Sequence, residues 1–191
     1  MSSIKLTADS GGGTFELKAP ASSSNTRSFT LPDVATGLGG ILMCDQWYLT
    51  AEKTDNTDIT ANLSRNDRTG AASQIGTGMS QSSGIFTFPV TGKYFVIVNA
   101  IFGLNGSDNA EIQTQVTTNN SSYTSVAIAA DGNNGSGSRI GSGTSFYFLD
   151  VTDTSQVKVK FQVNSLDSGS KIAADSSFIK TGFVFIRIGD T

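Results

Sequence analysis

The 191-residue sequence contains no histidine and a single cysteine, Cys44. Without histidine there is no imidazole base for a serine or cysteine nucleophile and no imidazole ligand for zinc. One cysteine also excludes a CxxC redox pair and an intramolecular disulfide. A pair of carboxylates remains as a catalytic option, but the spacing of Asp and Glu singles out no such pair. We therefore predict that the protein is not an enzyme and binds no cofactor.

Charged residues are few and scattered. They make up 15% of the chain, and the net charge is -3. The thirteen Lys and Arg residues stand singly, so no basic stripe could follow a phosphate backbone, and we predict no nucleic-acid partner. No window approaches the roughly eighteen apolar residues of a membrane span, and the amino terminus lacks the apolar stretch of a secretory signal. We expect synthesis in a cytoplasm and no insertion into a membrane.

The pattern of apolar residues predicts an all-β protein. No 3.6-residue period persists over a dozen positions, whereas short runs rich in Val, Ile, Phe, Tyr and Thr alternate with turn residues. Nine or ten strands at short spacing indicate a sandwich or a barrel. The predicted strands are 41–50, 59–64, 85–88, 94–102, 111–117, 123–129, 145–149, 156–163 and 178–188.

The first forty residues have a different character. Three short alternating runs lie at 4–7, 14–18 and 28–31, separated by Gly-rich and Pro-containing stretches. Runs this short cannot form a stable sheet alone, so we interpret residues 1–40 as an attachment arm and linker, preceding a head at 41–191. A flexible leader is the alternative. The apolar positions of the arm are Ile4, Leu6, Phe15, Leu17, Phe29 and Leu31.

Two predicted strands are apolar on both faces. In the last strand, Phe183 and Phe185 alternate with Val184 and Ile186, and residues 94–98 behave in the same way. A two-layer sandwich covers only one face of each sheet, so the second face requires another cover. A partner chain would supply it, and the alternative is a closed barrel with loops lying over the strand.

Three segments resemble the C1q/TNF-like jelly roll. Residues 84–96 match its central Gly-x-Phe, Pro and Gly-x-Tyr pattern, residues 178–188 match its final strand, and 47–50 fall at its first strand. The resemblance implies a jelly-roll sandwich of about ten strands and a homotrimer in which aromatic residues meet at the threefold axis. The residues assigned to the core and the trimer contact are Phe86, Phe88, Tyr94, Val96, Phe183 and Phe185.

A second resemblance concerns the arm and the short motifs around the head. Residues 1–6, 29–32, 75–80 and 188–191 resemble those of short virion proteins of tailed marine phages. This implies a location on the virion surface. One role is a capsid decoration or short head fibre whose arm binds other virion proteins, and the alternative is a tail-fibre tip that recognises a host glycan or protein. The length of the arm favours the capsid decoration or short head fibre. An arm of about 33 residues spans at most on the order of 110 Å, so the head must sit close to its support.

The receptor alternative depends on two polar loops at 103–110 and 131–143. Such loops can bind sugars, although their composition is also ordinary for turns of a soluble β protein. Residues 131–135 lack the alternating ligands and final Glu of an EF-hand, so we predict no metal site. The candidate recognition residues are Asn105, Asp108, Asp131, Asn133 and Asn134.

Overall fold

The computed structural model describes residues 3–7, 14–18, 24 and 41–191. Every regular element within these residues is a β-strand, which confirms the predicted all-β class. The chain divides into two units, Met1–Leu38 and Gly39–Thr191. The strands are β1 (Ser3–Thr7), β2 (Thr14–Lys18), β3 (Met43–Leu49), β4 (Leu63–Arg65), β5 (Gln74–Ile75), β6 (Ser80–Ser82), β7 (Ile85–Thr87), β8 (Gly92–Asn105), β9 (Asp108–Thr117), β10 (Thr124–Asn133), β11 (Ser138–Val151), β12 (Lys158–Asn164), β13 (Lys171–Ile172) and β14 (Gly182–Gly189).

In the first unit β1 and β2 form an antiparallel hairpin. The strands predicted at 4–7 and 14–18 are therefore confirmed. The register sets Ile4 opposite Leu17 and Leu6 opposite Phe15, so the apolar positions of the two strands are paired. The third predicted run, with Phe29 and Leu31, lies outside the described residues.

The second unit is a sandwich of two antiparallel sheets. One sheet has the order β10-β9-β12-β7-β6. The other has the order β11-β8-β14-β3-β4, with β13 added to β8 and β5 added to β3. This arrangement confirms the predicted jelly-roll sandwich, and strict alternation of buried and partly exposed residues along β8 shows how one face of each strand enters the core.

Aromatic rings fill the space between the sheets. Phe161 of the five-stranded sheet stacks on Phe183 of the seven-stranded sheet, with ring centroids 4.2 Å apart. Phe86 and Phe185 cross the same space at 5.0 Å, and Phe88 contacts Tyr94 at 4.7 Å. The inward side chains of both sheets thus interdigitate as the packing of a sandwich requires.

The six residues assigned jointly to the core and the trimer contact all lie in the core. Each is at most 1% exposed within a single chain, which leaves none of them free to touch another copy. The trimer part of that assignment is therefore wrong, because the alternating strands turn these side chains toward the opposite sheet. The six are Phe86, Phe88, Tyr94, Val96, Phe183 and Phe185.

Several strand boundaries also differ from the prediction. The last strand begins at Gly182 and not at Phe178, which lies in the preceding turn. The predicted loops at 103–110 and 131–143 shrink to the short turns 106–107 and 134–137, because β8, β9, β10 and β11 extend almost to the tips of their hairpins. The Gly at 132 is therefore a strand glycine, and a Cβ there would lie 2.5 Å from Oδ1 of Asn109.

Candidate functional site

The outer face of the seven-stranded sheet carries a continuous apolar surface. One row of neighbours crosses five strands, from Phe148 through Phe95, Ile186 and Cys44 to Ile75. A second row lies beside it, from Phe146 through Ile97 to Val184. We call these eight residues the apolar outer face.

This surface is exposed in a single chain. Phe146 is 71% exposed, Phe148 50% and Ile75 46%, and the other five members are partly exposed. The rings of Phe95 and Phe148 contact each other with centroids 5.3 Å apart. Single soluble domains seldom present a contiguous apolar surface of this kind, and such surfaces usually mark contacts with other molecules.

The outer face of the five-stranded sheet has the opposite character. Glu111 accepts hydrogen bonds from Gln113 at 2.6 Å and from Asn164 at 2.7 Å. Gln115 donates to Gln162 at 2.7 Å, and this face thus satisfies its polar groups with one another. The molecule therefore has one solvent-compatible sheet face and one apolar sheet face.

Cys44 lies in the middle of the apolar row, between Ile186 and Ile75. Its partial burial, together with the negative charge of Asp45, raises the pKa of the thiol above its ordinary value. The neutral thiol is therefore favoured, and Cys44 behaves as a small apolar group of this surface.

The buried carboxylate of Asp45 lies on the opposite side of β3 from Cys44. Asp45, 1% exposed, accepts from Arg65 Nε at 2.9 Å, from Arg65 Nη2 at 3.2 Å, from Trp47 Nε1 at 3.0 Å and from the amide of Met79 at 2.7 Å. The Arg65 guanidinium also lies over the Trp47 ring at 4.8 Å. This network links β3, β4 and the segment before β6, and so fixes the edge of the sheet that carries the apolar outer face.

The five candidate recognition residues come together at one end of the sandwich, which we call the tip. Asn133 pairs with Asp108 between β10 and β9, and Ser138 pairs with Asn105 between β11 and β8. The amide of Gly106 donates to the carbonyl of Gly137 at 3.3 Å, which joins the two turns. The sequence thus selected residues that are neighbours in space.

Most polar groups at the tip are engaged within the protein. Asn133 donates to the carbonyl of Gly137 at 2.7 Å and accepts from the amide of Gly135 at 3.0 Å. Asp131 pairs with Arg139 at 3.0 Å, and Asp108, 5% exposed, accepts from the amide of Asp167 at 3.3 Å. These side chains stabilise the hairpins, and of the five only Asn105 and Asn134 are exposed.

The tip lies far from the point where the second unit begins. Met43 pairs with Arg187, which pairs with Tyr94 near the start of β8. From Tyr94 to Asn105, at the end of β8, the chain advances about 35 Å at the ordinary rise of a strand. The beginning of the head and its hairpin tips are therefore at opposite ends of the sandwich.

Two further features are absent from the described part of the chain. Among these residues no group of three or more His, Cys, Asp or Glu side chains is placed to hold a metal ion. The same residues include no helix of the length and hydropathy needed to cross a membrane.

Comparison with solved structures identifies the architecture. The chain matches the Eiger TNF from S. frugiperda with a TM-score of 0.61 and 12% identity, over 80% of this chain and 96% of that one. The fold is that of a TNF-like jelly roll. Murine APRIL at pH 5.0 matches with a TM-score of 0.58 and 10% identity, over 76% of this chain and 98% of that one. No protein-family model and no curated sequence matches the chain.

Proposed function

We propose that this protein is a non-enzymatic structural protein of a phage virion, a trimeric capsid decoration or short head fibre. In this proposal the amino-terminal arm attaches to other virion proteins and the jelly-roll head projects from the particle. The observation that carries it is the apolar outer face, which a single chain leaves exposed. The resemblance of the arm and flanking motifs to phage virion proteins supplies the setting.

The apolar outer face is the surface at which copies of the chain meet. Burying a large apolar side chain such as Phe148 stabilises an assembly by about 1.5–3 kcal/mol, so several such residues per copy supply a substantial driving force. The polar face of the five-stranded sheet then remains toward solvent. Three copies form a closed ring, in which one part of the face contacts a different part on the next copy.

The arm attaches by strand pairing. A two-stranded ribbon such as the β1–β2 hairpin gains little stability alone, and a partner sheet would satisfy the backbone groups of its outer edges. The paired positions of Ile4 with Leu17 and Leu6 with Phe15 would set the register. Three arms on one trimer would strengthen attachment through avidity without new contacts.

A tail-fibre tip that recognises a host glycan or protein is the second candidate. It is favoured by the position of Asn105, Asp108, Asp131, Asn133 and Asn134, which lie at the end of the sandwich opposite the start of the head.

Two measurements test the first proposal. Native mass spectrometry of the full chain should give three times the 19.9 kDa of one copy, and a monomer would contradict the trimer. The variant Leu6→Asp/Leu17→Asp should remain trimeric but lose its place on purified particles in immunogold images. Lys5→Ser, between the apolar positions of β1, is the matched control and should keep it. Gold on tail tips, with soluble head blocking infection, would favour the second candidate.

A further inference from the structure

The tip carries two copies of the tripeptide Asn-Gly-Ser. One is residues 105–107, where β8 turns into β9, and the other is residues 134–136, in the turn between β10 and β11. Asparagine followed by glycine is the sequence most prone to spontaneous deamidation, because glycine has no side chain to keep its amide nitrogen away from the asparagine side chain. Since the two tripeptides are identical, a difference in their reactivity must come from the fold.

Asn105 is held by its surroundings on both its main chain and its side chain. It is the last residue of β8 and pairs with Ser138 of β11. Its backbone amide donates to Oγ of Ser170 at 2.9 Å, and its Oδ1 accepts from the hydroxyl of Ser138 at 3.3 Å. The amide of Gly106 donates to the carbonyl of Gly137 at 3.3 Å. Separate hydrogen bonds thus fix the asparagine side chain and the glycine nitrogen that would have to react.

Asn134 is held much less firmly. It follows the end of β10 and precedes the start of β11, so it takes no part in the pairing of the strands. Its side chain is exposed and has no hydrogen-bond partner among the described residues. The amide of Gly135 donates to Oδ1 of Asn133 at 3.0 Å. A single hydrogen bond contributes little to local stability, so this turn opens easily and the Asn134 side chain can reach the nitrogen of Gly135.

We propose that Asn134 is a site of spontaneous deamidation and that the fold protects Asn105 from the same reaction. The nitrogen of Gly135 attacks Cγ of Asn134 and the bond from Cγ to Nδ2 breaks. The released nitrogen leaves as ammonia, and overall it carries the amide proton of Gly135. The resulting succinimide ring then takes up a water molecule. Opening at one carbonyl gives aspartate, and opening at the other gives isoaspartate, in which the main chain runs through Cγ.

The reaction changes the chemistry of the tip. A neutral amide becomes a carboxylate, at an end of the head that already carries Asp108 and Asp131. Isoaspartate also lengthens the main chain of the turn, which the bond between Gly106 and Gly137 joins to the neighbouring turn. Because Asn134 is one of the candidate recognition residues, heads of different age would present different tips. The reaction requires water only, and neither the trimer nor a virion.

Peptide mapping of the full chain during incubation in mildly alkaline buffer tests the proposal. A Glu-specific protease cuts after Glu111 and so places the two asparagines in different peptides. Mass spectrometry measures the replacement of amide by carboxylate, and a protein isoaspartyl methyltransferase labels the isoaspartate. Asn134 should convert about tenfold faster than Asn105, because Asn105 must first give up one or two hydrogen bonds. Synthetic peptides of residues 102–109 and 131–139 contain the same tripeptide without the fold, and they should convert at similar rates.

Gly135→Ala should slow the reaction of Asn134 several-fold and leave the melting temperature unchanged. Gly135 lacks the positive φ that would strain an alanine, and its added Cβ would lie 3.4 Å from Oδ1 of Asn133, an ordinary contact. Gly137→Ala is the matched control, because a Cβ there meets nothing within 4 Å, and it should keep the natural rate.

Three results would overturn the proposal. They are conversion of Asn105 as fast as Asn134, survival of both asparagines under conditions in which the peptides react, and a natural rate in Gly135→Ala. The mass of the assembly is measured separately, so failure here leaves the proposed trimer standing.

Discussion

Phe148 lies directly opposite Phe95 on the outer face of the seven-stranded sheet, and their ring centroids are 5.3 Å apart. The pair begins a row that continues through Ile186 and Cys44, so it is the aromatic end of a larger apolar surface. Within one chain Phe148 stays 50% exposed. The pair is therefore a sensitive place at which to disturb the proposed contact between copies.

Phe148→Glu should convert the proposed trimer into monomers. A charge at the contact would have to lose its hydration, and the variant also loses about 2–3 kcal/mol of apolar burial per copy. Light scattering coupled to gel filtration measures the change in mass. Val90→Glu, at another exposed apolar position, should leave the mass unchanged, and a trimeric Phe148→Glu protein would place the contact elsewhere.

Cys44 provides a chemical reporter of the same surface. Its raised pKa keeps the thiolate fraction small at neutral pH, so reaction with a maleimide should accelerate as the pH rises. If a neighbouring copy covers the thiol, as the proposed trimer requires, it should react far more slowly in the natural protein than in Phe148→Glu at every pH. Mass spectrometry of the labelled chain gives both rates. Equal rates in the two proteins would show that Cys44 stays uncovered.

Asp45→Asn should destabilise the head by about 3 kcal/mol, because it leaves the Arg65 guanidinium without its carboxylate in a buried network. Urea denaturation measures the loss. Asp150→Asn breaks an exposed pair with Lys93, whose atoms lie 3.1 Å apart, and should cost less than about 1 kcal/mol. Similar losses in both variants would argue against a stabilising role of the Asp45 network.

Gly84→Ala and Gly70→Ala form a matched pair of glycine substitutions. Both glycines have positive φ, +79° and +77°, so both variants carry the strain of a left-handed alanine, about 1–2 kcal/mol. A Cβ at Gly84 would also lie 2.0 Å from the carbonyl oxygen of buried Ile59, whereas a Cβ at Gly70 meets nothing within 4 Å. Thermal and urea melts should show Gly84→Ala as the less stable by at least about 2 kcal/mol.

Tyr94→Phe should change the alkaline stability of the head. Tyr94 donates to the carbonyl of Val90 at 2.8 Å, and the variant should lose about 1 kcal/mol near pH 8. Burial raises the pKa of Tyr94, so the folded state keeps the proton that the unfolded state releases, and stability falls as the pH rises above about 10. The phenylalanine variant lacks this loss, and urea melts at rising pH should show the two proteins converging. A constant difference would contradict the prediction.

The sequence predicted the strands well because alternation is a local property. Residues 94–102 and 183–188 lie within β8 and β14, and their two-sided apolar character correctly indicated a sheet face that one chain leaves uncovered. Which side enters the core was not readable. The side of a strand that enters the core is the side that faces the opposite sheet, and a local pattern does not show where that sheet lies. In the structure Phe183 and Phe185 face the core, and Val184 and Ile186 lie on the outer face.

The parts that escaped prediction depend on contacts between distant residues. Asp45 and Arg65 are twenty positions apart, and no local pattern marks them as a pair. Phe178 was assigned to a strand because it precedes an apolar run, but pairing with β3 and β8 begins only at Gly182. Asp131 and Asn133 were assigned to a loop because of their composition, although pairing with β9 keeps both in β10.

The joined hairpin turns at 106–107 and 134–137 also make the head suitable for engineering. The second turn is exposed, is closed at its base by the β10–β9 and β11–β8 pairs, and contains only small polar residues after Asn133. A foreign epitope inserted after Ser136 would be carried on a rigid support, about 35 Å along the strands from the start of the head. The distance between this turn and the start of the head therefore makes the turn a position for peptide display.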